Sequence, residues 1–469
     1  MQQAGAADRV AGLAVTALFA GIVFYLNFRF VLVHFSSGGD LLDTGWFAWI
    51  MASGDPWLTS PRSVSGLSYF NYHLSPWLSG LSLAFHALGV DRFTALALHQ
   101  GAMFALLAGS LFALVLGAWA GRRSVLLYLA VALVVLFGDV LLQIASFPHF
   151  EIAIPACCAL GLALWQAGRH RLAVLAFALA CLVREDGGLY AGAFLIGLAA
   201  LRPLGRQMLA SREAGLAVAA ILVSLVMFWI KSRYFPGYPT FTGNFSGKDW
   251  DHVTPQFIFE RLAALAANPH ALAVFVPALL LGLCSPRYFV FLLLFLPIIA
   301  AQLLAVRLQL GHFMAYYATP FVMIWIGLVL VATDRARRQK LRWPEPAILL
   351  AAAILGSGPV LFALKPPAWF PVIAFALTGP VVDLPDLARQ TSAAIGGVPG
   401  ACVSLGVAAL IPDDFTPAQV LDPDSDLAAC RTVFLFNTDI HYKALRPRLA
   451  AYAPGPVIAG RIERYDQRP

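Results

Sequence analysis

Apolar stretches of about twenty residues recur along most of the first 364 positions of this 469-residue chain. A helix of about that length is what the hydrocarbon core of a bilayer demands of a spanning segment. Candidate spans fall at 10–33, 92–119, 124–142, 150–168, 171–184, 187–201, 214–231, 269–284, 288–305, 313–333 and 346–364. The fifth and sixth are short for the purpose. Hydrophobic residues make up 60% of the chain and charged residues 12%, about half the charge fraction of an ordinary soluble protein. A water-soluble globule is thereby excluded, as are disordered and collagen-like chains and, with only 6 Cys, a disulfide scaffold. The pattern predicts an all-α polytopic membrane protein of about eleven transmembrane helices. No fixed-period repeat supports a repeat-built transporter.

The basic residues predict how the spans are oriented. Every second connection is basic: Arg122 and Arg123; Arg169 and Arg171; Arg202, Arg206 and Arg212; Arg287; then Arg335, Arg337, Arg338, Lys340 and Arg342. Short loops rich in Arg and Lys stay cytoplasmic. Counting eleven spans puts all five groups on the side of the N-terminus, so the N-terminus is expected inside and everything after residue 364 outside. The first segment keeps Phe19, Phe24 and Tyr25 and has no small-residue cleavage site, which favours a retained span over a signal peptide. The net charge of +7 is thus a topology signal, and nucleic acid is not an expected partner. The implied location is the bacterial inner membrane.

Residues 1–364 form the expected membrane domain, with a long first outer loop at 34–91. Within that loop, Trp46–Ser53 and Trp77–Leu88 are apolar but short, as suits helices lying along the interface. Residues 365–469 regain acidic residues and prolines. Short β-type runs, Ala401–Leu405 and Thr432–Phe436, alternate there with turn signals at Pro412-Asp413-Asp414 and Asp422-Pro423-Asp424, giving a small extracytoplasmic α/β domain. Cys402 and Cys430 either pair there, in a periplasm-like oxidising compartment, or remain two buried thiols. Cys157, Cys158, Cys181 and Cys284 fall in spans, where packing accounts for them.

Ionisable groups near membrane depth are costly and tend to face cavities. Asp43 lies in the apolar stretch Leu41-Leu42-Asp43-Thr44-Gly45-Trp46-Phe47, where it serves either as a helix N-cap or as a general base, or as both. Asp40 competes with it, after the linker-like Ser36-Ser37-Gly38-Gly39. In Asn71-Tyr72-His73-Leu74-Ser75-Pro76, a helix start explains Ser75 and Pro76 but not His73. His149 and Glu151 are two apart, a spacing that fits a turn. With Asp43 and His73 they make a candidate ligand set for a divalent metal ion. Arg184, Glu185 and Asp186 crowd a very short outer connection, and Arg suits bidentate contact with phosphate. His312 and Tyr316 have the i, i+4 spacing of one helical face. Lys231 and Arg233 end the seventh span, either snorkelling or helping to hold a phosphate. No Walker loop, dinucleotide fingerprint, HExxH or GxSxG occurs, so no nucleotide cofactor is expected.

These motifs, in this order, resemble a family of bacterial and archaeal polytopic membrane proteins of unknown function. The resemblance runs from Asp43-Thr44-Gly45-Trp46-Phe47 through Asn71, His73, Ser75, Pro76 and Gln100. It continues with Phe147–Glu151, Arg184–Asp186 and His312–Tyr316, and ends on the small end domain. It departs in having Arg at the head of the triplet, and in lacking a Gln after Phe47. That family is linked to the GT-C class of integral-membrane glycosyltransferases, which implies a polyprenyl-phosphate-linked sugar donor and a glycan, lipid or protein acceptor. On that resemblance Asp43 is the expected base of an inverting transfer, and Arg184, with Lys231 or Arg233, steadies the leaving phosphate. His73, His149 and Glu151 then orient the acceptor or hold a divalent ion. The competing expectation is a transporter or flippase for a lipid-linked or small polar solute.

Overall fold

The computed structural model describes residues 6–36, 43–59, 68–119, 148–201, 211–236, 245–247, 250–313, 315–338, 369–379, 381–411, 419–421, 424–437 and 442–468, with 340, 345 and 347–349. The expected spans at 124–142 and 346–364 lie outside the described residues, apart from 347–349, as do Asp40, Arg122, Arg123, Arg202, Arg206 and Arg342. In chain order the helices begin α1 (Ala6–Ser36), α2 (Asp43–Ala52), α3 (Pro76–Ala87), α4 (Arg92–Trp119), α5 (Ala153–Gln166), α6 (His170–Val183) and α7 (Gly187–Ala200). There follow α8 (Arg212–Tyr234), α9 (Pro255–Ala267), α10 (Pro269–Cys284), α11 (Phe289–Leu303), α12 (Leu308–Gly311) and α13 (Thr319–Arg337). The last part holds α14 (Trp369–Thr378), α15 (Leu384–Ile395), β1 (Ala401–Ser404), α16 (Leu405–Leu410), β2 (Gln419–Leu421), β3 (Thr432–Phe436), α17 (Tyr442–Leu445), β4 (Tyr452–Ile458) and β5 (Ile462–Gln467).

Among the described residues, five helices are long and apolar enough to cross a membrane: Val10–Phe35, Arg92–Leu116, Arg212–Tyr234, Pro286–Leu303 and Thr319–Ala336. The helix over Pro255–Ala267 and that over Ala271–Cys284, bent by 78° at their break, make a sixth if they are one broken span. Three more apolar helices are shorter: Phe150–Gln166, His170–Val183 and Gly187–Ala200. α8 displays the logic of such a helix. Its buried residues, Glu213, Ala217, Ala220, Ser224, Met227 and Lys231, follow a strict 4,3,4,3,4 spacing, a single narrow seam. Around that seam Leu222, Leu225, Val226 and Trp229 are exposed, a continuous apolar face of the kind that lipid covers and water does not tolerate. The chain has the character of a membrane protein.

The chain divides into two compact, discontinuous units. The first comprises residues 1–27, 71–77 and 100–373. In it α7 is apolar almost all round and packs against both α6 and α8. Small residues let the backbones approach: a Cβ at Gly187 would stand 2.3 Å from the Ala180 carbonyl oxygen, and one at Gly188 2.1 Å from that of Ala220. This close small-residue packing is how helices associate where lipid removes the hydrophobic drive. Arg335, expected only as a topology charge, is also structural. It grips the fully buried Glu345 in two hydrogen bonds of 2.8 Å, and Tyr288 donates to the same carboxylate at 2.6 Å.

The second unit comprises residues 28–70, 78–99 and 374–469. Helices form at both short apolar stretches of the expected outer loop, as α2 and α3. The end domain is an α/β module whose sheet has the order β2-β1-β3-β5-β4. β1 runs parallel to both β2 and β3, and β5 is antiparallel to β3 and β4. The two strands read from sequence are β1 and β3. Cys402 and Cys430 are joined in a disulfide, inside a core formed with Leu421, Val433, Leu435, Leu445 and Leu449. Closing a loop of sequence separation 28 restricts the unfolded chain by about 3.5 kcal/mol on the loop-entropy model. The full-length Cys402→Ala/Cys430→Ala variant is expected to lose most of that from the unfolding of the end domain. Urea titration followed by limited proteolysis reads the loss, and an unchanged midpoint would contradict it.

Candidate functional site

Three short chain segments of the first unit meet at one end of α5, α6, α7 and α8. Asn71–Ser75 is fastened to the α6–α7 connection at three points. His73 Nδ1 lies 2.9 Å from Glu185 Oε1, the Leu74 N–H donates to Glu185 Oε2 at 2.9 Å, and the Ser75 hydroxyl donates to the Val183 carbonyl at 2.6 Å. Pro76 opens α3 as expected of a first helical position, but the hydroxyl of Ser75 ties two distant segments together. The Glu185 side chain is 3% exposed and that of His73 25%. A buried carboxylate at Nδ1 selects the Nδ1–H tautomer and makes Nε2 the basic nitrogen of the ring.

The second segment is the turn before α5. His149 is extended and precedes a 3₁₀ turn over Phe150–Ile152, so the two-residue spacing is that of a turn, as read from sequence. His149 stacks on Phe150, and its Nδ1 lies 3.9 Å from Glu151 Oε1. The third segment is the triplet itself. The Arg184 Nε donates to Asp186 Oδ1 at 2.6 Å, and its terminal nitrogens bind Asp186 and Glu151. The guanidinium is thus forked onto one carboxylate while also gripping a second, an arrangement that Lys cannot reproduce. Asp186 precedes the first turn of α7, where a negative charge complements the helix dipole.

Helix packing sets this constellation. Gly187 and Gly188 bring the start of α7 against α6 and α8, and the Leu189 N–H donates to the Ser224 hydroxyl at 3.1 Å. The seam of α8 then carries buried Lys231 to where the Glu185 charge acts on it. Tyr190, one turn into α7, is within electrostatic reach of Asp186, Arg184 and Glu151. It carries no sequence signal beyond its spacing from the triplet. Asn71 is buried at the end of a 3₁₀ turn over Tyr69–Asn71.

The other predicted residues fall elsewhere. Asp43 opens α2, in the second unit, and its side chain lies outside the described residues. Arg233 is exposed on the last turn of α8. His312 and Tyr316 do not share a helical face. Phe313 has φ of 53°, in the left-handed region, and breaks the chain between α12 and a 3₁₀ turn over Ala315–Ala318. His312 stands in that break and Tyr316 in the turn after it; the side chain of Tyr316 lies outside the described residues. Burial, and after it the nearby Arg261 charge, hold the His312 imidazole below its ordinary pKa.

Among the described residues, no three His, Cys, Asp or Glu side chains are placed to share a metal ion. Of the four candidate ligands, His73 is held by Glu185 and Glu151 by Arg184. No family model, curated protein or solved structure matches this chain. What the described cluster offers chemically is an oriented, part-exposed imidazole beside buried carboxylates, with Arg184 and Lys231 balancing their charge.

Proposed function

We propose that the chain is an integral-membrane glycosyltransferase of the GT-C kind, taking a sugar from a polyprenyl-phosphate carrier and passing it to an acceptor outside the cytoplasm. The observation that carries this reading is the His73–Glu185 pair, in which a buried carboxylate orients an imidazole at one end of the helix cluster. Such a pair aligns a hydroxyl group for proton transfer. The chain would lie in a bacterial inner membrane with eleven spans, the N-terminus cytoplasmic and the end domain outside. The three short helices, the helix over Ala271–Cys284 and the stretches at 124–142 and 346–364 would supply the crossings beyond the five long helices. A Cys402–Cys430 disulfide suits that oxidising side.

In the reaction, Asp43 takes the proton of an acceptor hydroxyl while that oxygen attacks the anomeric carbon. The bond from that carbon to the carrier phosphate breaks, with inversion. His73, oriented by Glu185, is assigned to positioning the acceptor, with Asn71, His149 and Glu151 as further acceptor contacts. His73→Ala should lower kcat by about 10²-fold while donor binding persists. Transfer of labelled sugar from a polyprenyl-phosphate donor in proteoliposomes measures this, and an unchanged kcat would remove His73 from the mechanism. A transporter or flippase is the second reading, favoured by the closed Arg184–Glu151–Asp186 lock. It requires solute or lipid flux with no new glycosidic bond.

A further inference from the structure

Arg184 was the expected phosphate ligand, yet its Nε and both terminal nitrogens are engaged by Asp186 and Glu151. Another guanidinium, absent from every motif in the sequence, is buried in the same unit. Arg261, on α9, is 5% exposed. One of its terminal nitrogens donates to the Ala305 carbonyl at 3.2 Å, and the group lies 4.8 Å from the Phe257 ring centroid. The chain folds around it. A Cβ on Gly311 would sit 2.4 Å from Arg261 Nη1, so the backbone lies directly against the guanidinium and a side chain there would push it aside. His312 follows at once, near enough to feel the Arg261 charge. Phe313 takes its left-handed φ to turn the chain there, and Asn268 pins the turn by donating to the His312 carbonyl at 3.1 Å. Left-handed conformations of large residues are costly and cluster at ligand clamps. Its sequence neighbour Glu260, an exposed side chain bonded to Gln256 at 2.8 Å, acts on the Arg261 charge. Residues 231–268 and 307–317 belong to the outer side in the proposed topology, where the rule that retains Arg in cytoplasmic loops does not call for one.

We propose that Arg261 and His312, backed by Gly311, form a phosphate-binding site where the middle of α9 meets the end of α12. A guanidinium in a water-poor wall is suited to a phosphate ester, and the neighbouring imidazole adds a second donor. The site rests on the outer placement in the reading above; the phosphate comes either from a polyprenyl-phosphate headgroup or from the free anion.

The test measures binding, not turnover. Full-length protein in phosphatidylcholine nanodiscs is titrated with polyprenyl phosphate, with polyprenol lacking the phosphate, and with inorganic phosphate as competitor. Wild type should bind polyprenyl phosphate at least tenfold more tightly than polyprenol. Arg261→Lys and Arg261→Ala should each remove most of that difference, and His312→Ala part of it, with polyprenol binding unchanged. Should Arg261→Ala fail to fold, Gly311→Ala, which displaces the guanidinium without deleting it, should give the same loss. Competition by millimolar inorganic phosphate supports the site and identifies the free anion as able to fill it; a lack of competition supports it as a lipid-headgroup site. Folded Arg261→Lys and Gly311→Ala proteins that still prefer polyprenyl phosphate tenfold would overturn the assignment. Because no transfer is read, a wild type that binds phosphate but makes no glycosidic bond defeats the enzyme reading and leaves this one standing.

Discussion

Arg184→Ala is expected to destabilise the first unit by about 3–5 kcal/mol, the usual cost of stripping one partner from a buried ion pair. The loss is large because two carboxylates depend on one guanidinium. Glu151 is 3% exposed and Asp186 22%, and Arg184 binds both. Deleting it leaves like charges close together in a poorly solvated place, next to Glu185. Arg184→Lys should recover only a fraction, since a point charge cannot fork onto Asp186 while reaching Glu151. The double variant Arg184→Ala/Glu151→Gln should be more stable than Arg184→Ala alone, because it removes one of the orphaned charges. Melting of the detergent-solubilised protein measures all three. An Arg184→Ala protein that melts like wild type would mean that the clamp is absent in solution.

Asp43→Asn is the substitution expected to have the largest effect on activity. An amide keeps the shape of the side chain and its capacity to accept a helix-capping hydrogen bond, so α2 should still form. It cannot take a proton from an acceptor hydroxyl. If Asp43 is the base, transfer should fall by at least about 10²–10⁴-fold while expression and donor binding hold. The two roles weighed for Asp43 are separated by this one change. A cap alone predicts a small stability loss and normal turnover; a base predicts normal stability and almost no turnover.

Local patterning accounts for what could be read in advance. The short helices α2 and α3, the turn at His149–Glu151 and the strands β1 and β3 each rest on a few adjacent residues whose spacing or branching suffices. β4 and β5 escaped such reading for physical reasons. Tyr452–Ile458 contains two prolines and a glycine, tolerable because β4 lies at the sheet edge and its pairing with β5 shifts register between Pro454 and Val457. β5 is Ile-Glu-Arg-Tyr-Asp-Gln, charged enough to pass for a loop. The site divides in the same way. The triplet stood out because charges are scarce there, but its attachment to His73 spans 112 residues of sequence and no local pattern encodes it. Arg261 belongs to no motif, and only the fold brings Gly311 against it. The i, i+4 expectation for His312 and Tyr316 failed because a left-handed Phe313 is invisible to spacing.

On the proposed reading this chain makes a glycosidic bond. Purified full-length protein in proteoliposomes, supplied with labelled polyprenyl-phosphate sugar donors and candidate acceptors, should yield a labelled product of inverted anomeric configuration, and the Asp43→Asn protein should yield none. Flux of donor or solute across the same vesicles with no labelled product, or equal product from the Asp43→Asn protein, would contradict it.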